Sequence, residues 1–120
     1  MKIKLSCDIK QKIDNHETIT ADTSNIKNII EYAIKKLGDN ADLNFIDVSK
    51  VTYMESLFEG SQFNGNISKW NVSNIEYMNC MFTDSKFNKD ISKWNVSNVK
   101  YNKNIFGHCP IKDEYKPKFK

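Results

Sequence analysis

The sequence has few of the residues that build catalytic loops, metal sites and disulfide frameworks. Its four glycines never cluster, so no glycine-rich loop for phosphate groups is present. The three cysteines, Cys7, Cys80 and Cys109, are odd in number and unrelated in spacing, which predicts reduced, mostly buried thiols. No C-x-x-C or H-x-x-x-H pattern points to zinc, and neither His16 nor His108 completes a catalytic signature with a cysteine. We therefore predict no enzyme activity, no metal and no cofactor.

The chain also lacks long apolar runs and an excess of one charge. No stretch approaches the roughly 18 apolar residues of a membrane-spanning helix, and the first residues, MKIKLSCDIKQKID, contain no apolar segment of a secretory signal. With Met1 as the natural start, we expect a cytoplasmic protein. Eighteen basic and fifteen acidic side chains give a net charge of only +3, so nucleic-acid binding is not expected. The length of 120 residues predicts one folded domain.

What the chain does have is an internal repeat. Residues 63–86 and 87–110 match at 12 of 24 positions, and a fainter copy occupies residues 39–62. A fixed period of this size predicts stacked units in which each repeat completes the core of its neighbour. The positions expected in that core are Leu43, Ile67 and Ile91; Ile46, Trp70 and Trp94; Val48, Val72 and Val96; Val51, Ile75 and Val99; Tyr53, Tyr77 and Tyr101; Leu57, Met81 and Ile105; and Phe58, Phe82 and Phe106.

The segments around the repeats carry their own patterns. Alternation of Ile3, Leu5, Cys7 and Ile9 with polar residues, followed by a β-prone run, predicts a β-hairpin over residues 1–21. Apolar residues spaced by three and four predict a helix at about 24–37, within a capping segment 22–38. Residues 107–120 are expected to form a C-terminal cap. Within each repeat, the alternation K-W-N-V-S predicts a short strand, and the segment after it a short helix or 3₁₀ turn.

The repeat motif F-N-x-x-I-S-K-W-N-V-S-N-[IV]-x-Y-M-x-x-M-F resembles the BspA-like leucine-rich repeat family of bacterial surface proteins. The segments A-D-L-N-F-I-D-V-S-K-V and C-P-I-K-D-E-Y-K-P-K-F also look like the opening and closing segments of that family, so the resemblance covers about residues 25–120. It implies an α/β fold class: a short right-handed leucine-rich-repeat-like solenoid of three 24-residue coils with a parallel strand ribbon. It also implies binding of proteins or cell surfaces. Family members are typically longer arrays and often exported, and residues 1–20 lie outside the pattern.

Outward positions of the expected strands are the candidate partner-binding residues, because a parallel ribbon presents identical side chains at fixed spacing. These residues are Asp47, Lys69, Asn71, Ser73, Lys93, Asn95 and Ser97. The same residues also suit a merely solvent-exposed strand face. Two polar columns are expected to satisfy backbone groups rather than hold calcium. One column is Asn40, Asn64 and Asn88, and the other is Asp42, Asn66 and Asp90.

Together these patterns predict a non-enzymatic module that binds another macromolecule, most readily a protein, through the strand face or an edge. One alternative is a small cytoplasmic inhibitor or regulator, encoded by a mobile element, that uses the N-terminal hairpin as its contact. A second alternative is a self-associating surface or structural protein. A monomer or weak self-association is expected.

Overall fold

The computed structural model describes residues 5–119, which contain two α-helices, two strands and one 3₁₀ turn. In chain order these are α1 (Cys7–Asp14), β1 (Ile19–Asp22), α2 (Ile26–Leu37), β2 (Ile46–Lys50) and the 3₁₀ turn Asp113–Tyr115. The two strands pair in parallel, with Ile19 opposite Ile46 and a register shift before Asp22. The remainder of the described chain consists of turns, isolated β-bridges and irregular segments.

The predicted fold class, a leucine-rich-repeat-like solenoid with a parallel strand ribbon, is wrong. Within residues 5–119 the sheet has two strands, and the expected strands around Trp70 and Trp94 do not form. The physical reason is that the backbone N–H groups there bond within their own repeat. Trp70 N–H donates to the Ile67 carbonyl and Ile75 N–H to the Val72 carbonyl, so these groups are not available to a continuous ladder. The short helix expected after each of these strands is likewise a series of turns.

The predicted N-terminal hairpin is also wrong, because Cys7–Asp14 form the helix α1 and β1 pairs with β2. Ser6 caps it by accepting a hydrogen bond from the Ile9 N–H at 3.2 Å. Ile13 is fully buried, while Cys7, expected to point inward, is exposed. Ile9 and Ile13 are spaced by four, which places them on one face of α1. Ile3, part of the predicted strand, lies outside the described residues.

The helix expected at about 24–37 is confirmed as α2, which ends at Leu37 and is capped by Gly38, a residue with φ 98°. Its buried side chains are Ile26, Ile29, Ile30 and Ala33. Two hydrogen bonds fix where α2 lies. Before the helix, the Thr23 hydroxyl accepts the Thr52 N–H at 3.0 Å, and after it the Asp39 carbonyl accepts the Asn64 N–H at 2.7 Å. The helix therefore runs alongside residues 53–62.

Neighbouring repeats bond to each other at alternate residues. The N–H groups of Met54, Ser56, Phe58 and Gly60 donate to the carbonyls of Tyr77, Asn79, Met81 and Thr83. One repeat later, the N–H groups of Met78, Cys80, Phe82 and Asp84 donate to the carbonyls of Tyr101, Lys103, Ile105 and Gly107. Side chains stack in the same register, and the ring centroids of Trp70 and Trp94 are 6.3 Å apart. One continuous apolar core results, from Ile13 to Ile111.

The turns of the repeats contain left-handed residues at matching positions. These are Ser56, Cys80 and Asn104, and four residues later Gly60, Asp84 and His108, with φ between 53° and 70°. A non-glycine residue in this conformation has a strained backbone, which the bonds of the surrounding repeats hold in place. After the last repeat, the chain returns so that the Tyr115 carbonyl accepts the Ile91 N–H, and Pro117 is buried.

Candidate functional site

The most conspicuous surface feature is a column of three tyrosines. Tyr53, Tyr77 and Tyr101 were expected in the core, but they are 46%, 37% and 48% exposed. Each lies at an isolated parallel bridge between neighbouring repeats, so the three side chains leave the same side of the backbone. The ring centroids of Tyr53 and Tyr77 are 5.5 Å apart, and those of Tyr77 and Tyr101 are 4.9 Å apart with nearly parallel planes. The expectation that this column is buried is therefore wrong.

We call Tyr53, Tyr77 and Tyr101 the tyrosine column. Charged side chains flank it. The Tyr53 hydroxyl donates to Glu55 Oε1 at 3.1 Å, and this hydrogen bond raises the pKa of Tyr53. Glu76 Oε1 lies 3.1 Å from Lys100 Nζ, and the same contact raises the pKa of Lys100. Both pairs are on the surface, so they orient side chains rather than add much stability.

The predicted partner-binding residues are divided between exposed and half-buried positions. Asp47 and Ser73 are half-buried, whereas the exposed members are Lys69, Asn71, Lys93, Asn95 and Ser97. Several already serve the backbone. Asn71 Oδ1 accepts the Ser73 N–H at 3.1 Å, Asn95 Oδ1 accepts the Ser97 N–H at 3.1 Å, and bonds from Ser49 lower the pKa of Asp47. Lys69 and Lys93 both line one shallow surface depression. Their role in partner binding stays a prediction.

The inward tryptophans have the core role that their column predicts. Trp70 and Trp94 are 4% and 5% exposed. The Trp70 indole N–H donates to the Leu43 carbonyl at 2.9 Å, and the Trp94 indole N–H donates to the Ile67 carbonyl at 3.0 Å. A buried indole needs such a partner. These rings are therefore not available as surface anchors.

Five of the six residues in the two polar columns satisfy backbone groups, as predicted. Asn64 Oδ1 accepts the Asn88 N–H at 2.8 Å, and Asn88 Oδ1 accepts the Lys112 N–H at 3.1 Å. In the other column, Asp42, Asn66 and Asp90 each accept the N–H two residues ahead. Among residues 5–119, no cluster of His, Cys, Asp and Glu has the arrangement of a metal site.

The cysteines are unpaired, but the prediction that they are mostly buried is wrong. Cys7 is exposed, and Cys80 and Cys109 are half-buried. Ser85 Oγ lies 3.5 Å from Cys109 Sγ, which in turn contacts the Phe87 carbonyl at 3.2 Å. These are packing contacts of a weakly polar thiol.

Chemically, the tyrosine column offers flat aromatic faces with polar tips. Such rings bury a large area on binding while losing little conformational freedom. Sequence reasoning missed the site because tyrosine suits a core column as well as a wet surface. One signal could have revealed it: this column keeps a ring with a hydroxyl in all three repeats, whereas Leu57, Met81 and Ile105 exchange one apolar residue for another.

Comparison with known protein families places the repeats in a described family. A family model described as "Mycoplasma protein of unknown function, DUF285" matches residues 25–114, which include α2 and the repeats but neither α1 nor β1. No curated protein and no solved structure matches the chain. The resemblance to BspA-like repeats stays a prediction. In the described part of the chain, no helix has both the length and the apolar character needed to cross a membrane.

Proposed function

The chain belongs to the DUF285 family of Mycoplasma proteins of unknown function, and we propose that it is a non-enzymatic module that binds another protein through its tyrosine column. The observation that carries the proposal is the exposure of three stacked tyrosines at the same position of successive repeats. Tyrosine is enriched among the residues that dominate binding energy at protein interfaces.

The surroundings of the tyrosine column support a protein partner. Glu55, Glu76 and Lys100 place charges of both signs beside the rings, which suits a polar rim around an aromatic centre. Backbone bonds between the repeats also hold the three tyrosines in register. A rigid surface loses less entropy on binding than a flexible one.

The same proposal includes a cytoplasmic location. Its support is the set of three free thiols, Cys7, Cys80 and Cys109, since unpaired cysteines are usual in a reducing compartment.

Partner capture from a lysate of the source cells tests the proposal. We expect a protein retained by the unaltered chain to be lost by the variant Tyr53→Ser/Tyr77→Ser/Tyr101→Ser, because the aromatic contact area is removed. The matched control is Lys69→Ser/Lys93→Ser, which alters the predicted polar surface and leaves the tyrosines intact. Far-UV circular dichroism establishes that both variants keep the fold.

The outcomes distinguish binding through the tyrosine column from binding through the predicted polar residues and from self-association. Loss of the partner only in the tyrosine variant supports the proposal. Loss only in the lysine variant assigns binding to the predicted polar residues and contradicts it. Retention in both variants, or no partner at all, also contradicts it, and sedimentation that increases with protein concentration would favour the self-associating alternative.

A further inference from the structure

The last repeat presents a row of backbone donors with no acceptor. In the two earlier repeats, the N–H groups at the equivalent positions donate to the next repeat. In the last repeat these positions are Asn102, Asn104, Phe106 and His108, and their N–H groups have no hydrogen-bond partner within residues 5–119. Asn102, Asn104 and His108 are exposed, and Phe106 is half-buried with Lys116 Nζ 5.4 Å from its ring centre. We call these four residues the open edge.

In the pattern of bonds that joins neighbouring repeats, the open edge supplies donors. The carbonyls of Tyr101, Lys103, Ile105 and Gly107 are all used by the preceding repeat. The Asn104 carbonyl also has partners, the Gly107 N–H and the Thr83 hydroxyl. An ordinary exposed strand edge alternates donors with acceptors, and it can pair with a copy of itself. To continue the pattern that joins the repeats, this edge needs a chain that supplies carbonyls.

A second copy of this chain does not supply them. Its complementary carbonyls would be those of Tyr53, Glu55, Leu57 and Glu59, which accept no backbone N–H among the described residues. However, α2 runs alongside residues 53–62, because it lies between the bonds from Thr23 to Thr52 and from Asp39 to Asn64. The helix α2 therefore lies over the acceptor end of every copy. The donor ends of two copies cannot pair either, because neither offers the carbonyls that the other needs.

Charged side chains near the open edge indicate the chemistry of a segment that would pair with it. Glu76 pairs with Lys100 one repeat later, so the next position beyond Lys100 is favourable for another acidic residue. Lys103 and Lys112, both exposed, add positive charge at the same end. Tyr101 stacks on Tyr77 and is still 48% exposed, so an aromatic residue of the partner can stack on it.

We infer that the open edge binds, in trans, a segment of another protein that imitates residues 75–86 of this chain. Such a segment carries an acidic residue opposite Lys100, an aromatic residue next to it, and residues that tolerate positive φ, such as Asn, Asp or Gly, at the positions of Cys80 and Asp84. Its carbonyls at alternate positions accept the donors of the open edge, as in the addition of a strand to a sheet. The inference deepens the proposed function and rests on it, since it names the partner that meets the Tyr101 end of the tyrosine column.

The probe for this inference is a synthetic peptide with the sequence of residues 75–86 in which Cys80→Asn removes the thiol. We expect it to shift the backbone amide NMR signals of Asn102 and Asn104 in the full chain. Asn102→Pro removes one donor that no internal bond uses, and one hydrogen bond corresponds to roughly fivefold weaker binding. The matched control, Asn102→Ala, keeps the N–H and should bind as the unaltered chain does.

A charge exchange gives a second readout that does not depend on a proline variant. Lys100→Glu should weaken binding of the probe, and a peptide that also carries Glu76→Lys should bind Lys100→Glu better than it binds the unaltered chain. If the probe at millimolar concentration leaves Asn102 and Asn104 unshifted, or if the exchanged pair shows no recovery, the inference is wrong. The tyrosine proposal is then judged separately by the capture experiment, because the Tyr53 end of the column does not contact the open edge.

Discussion

At the scale of single residues, each tryptophan joins packing to one polar bond. Trp70 and Trp94 stack in the core, and their indole N–H groups reach carbonyls of the preceding repeat. The sequence allowed this inward placement to be predicted because Ile46 shares the column, and an aliphatic residue there excludes a surface role. The tyrosine column could not be placed in the same way, since a phenol ring suits both sides of a repeat.

Replacing Trp70 by Phe should therefore lower the free energy of unfolding by about 1–3 kcal/mol, because it removes the bond to the Leu43 carbonyl and part of the buried ring. Urea denaturation measures this change. Tyr77→Phe is the control at an exposed ring, and it should stay within about 0.5 kcal/mol of the unaltered chain. Equal effects of the two substitutions would contradict the assignment of these columns.

At the scale of elements, the two patterns before the repeats differ in how clearly they indicate a structure. The α2 pattern continues for three turns and was correctly predicted. The α1 segment is shorter and contains two competing patterns. Leu5, Cys7 and Ile9 are spaced by two, as in a strand, whereas Leu5, Ile9 and Ile13 are spaced by four, as in a helix. The cap supplied by Ser6 and the burial of Ile13 favour the helix. The strands predicted in the repeats fail because a local pattern cannot show which groups bond within their own turn.

The helix α1 and the hairpin predict opposite effects on stability for substitutions at Ile13 and Cys7. Ile13→Ala should cost about 2–5 kcal/mol of stability, as expected for a fully buried isoleucine. Cys7→Ala should change stability by no more than about 0.5 kcal/mol, since this thiol is exposed in α1. Thermal or urea unfolding of both variants gives the comparison. A larger loss for Cys7→Ala than for Ile13→Ala would favour the hairpin.

At the scale of the whole molecule, the helices and the repeats share one apolar core. That core extends from Ile13 in α1, through α2 and all three repeats, to Ile111. The internal repetition and its 24-residue register could be read from the sequence, because the stacked columns require similar residues at each period. The open edge could not, since its identity depends on which backbone groups lack a partner in three dimensions.

A shared core predicts cooperative unfolding. Circular dichroism follows mainly α1 and α2, whereas tryptophan fluorescence follows Trp70 and Trp94 in the second and third repeats. We expect the two signals to give the same urea midpoint, as for a two-state domain. Separate midpoints would show that the helices and the repeats unfold as independent units.

The matching bonds between repeats have a genetic consequence. A middle repeat makes the same backbone contacts on both sides, so a gene duplication that adds one whole repeat leaves every donor opposite its usual carbonyl. An insertion inside a repeat that is not a whole number of repeats moves residues out of their columns, so tyrosines can meet core positions and core residues can meet solvent. Selection should therefore tolerate changes of gene length in whole-repeat steps while removing most others, with the helix-covered beginning and the open edge retained at the two ends.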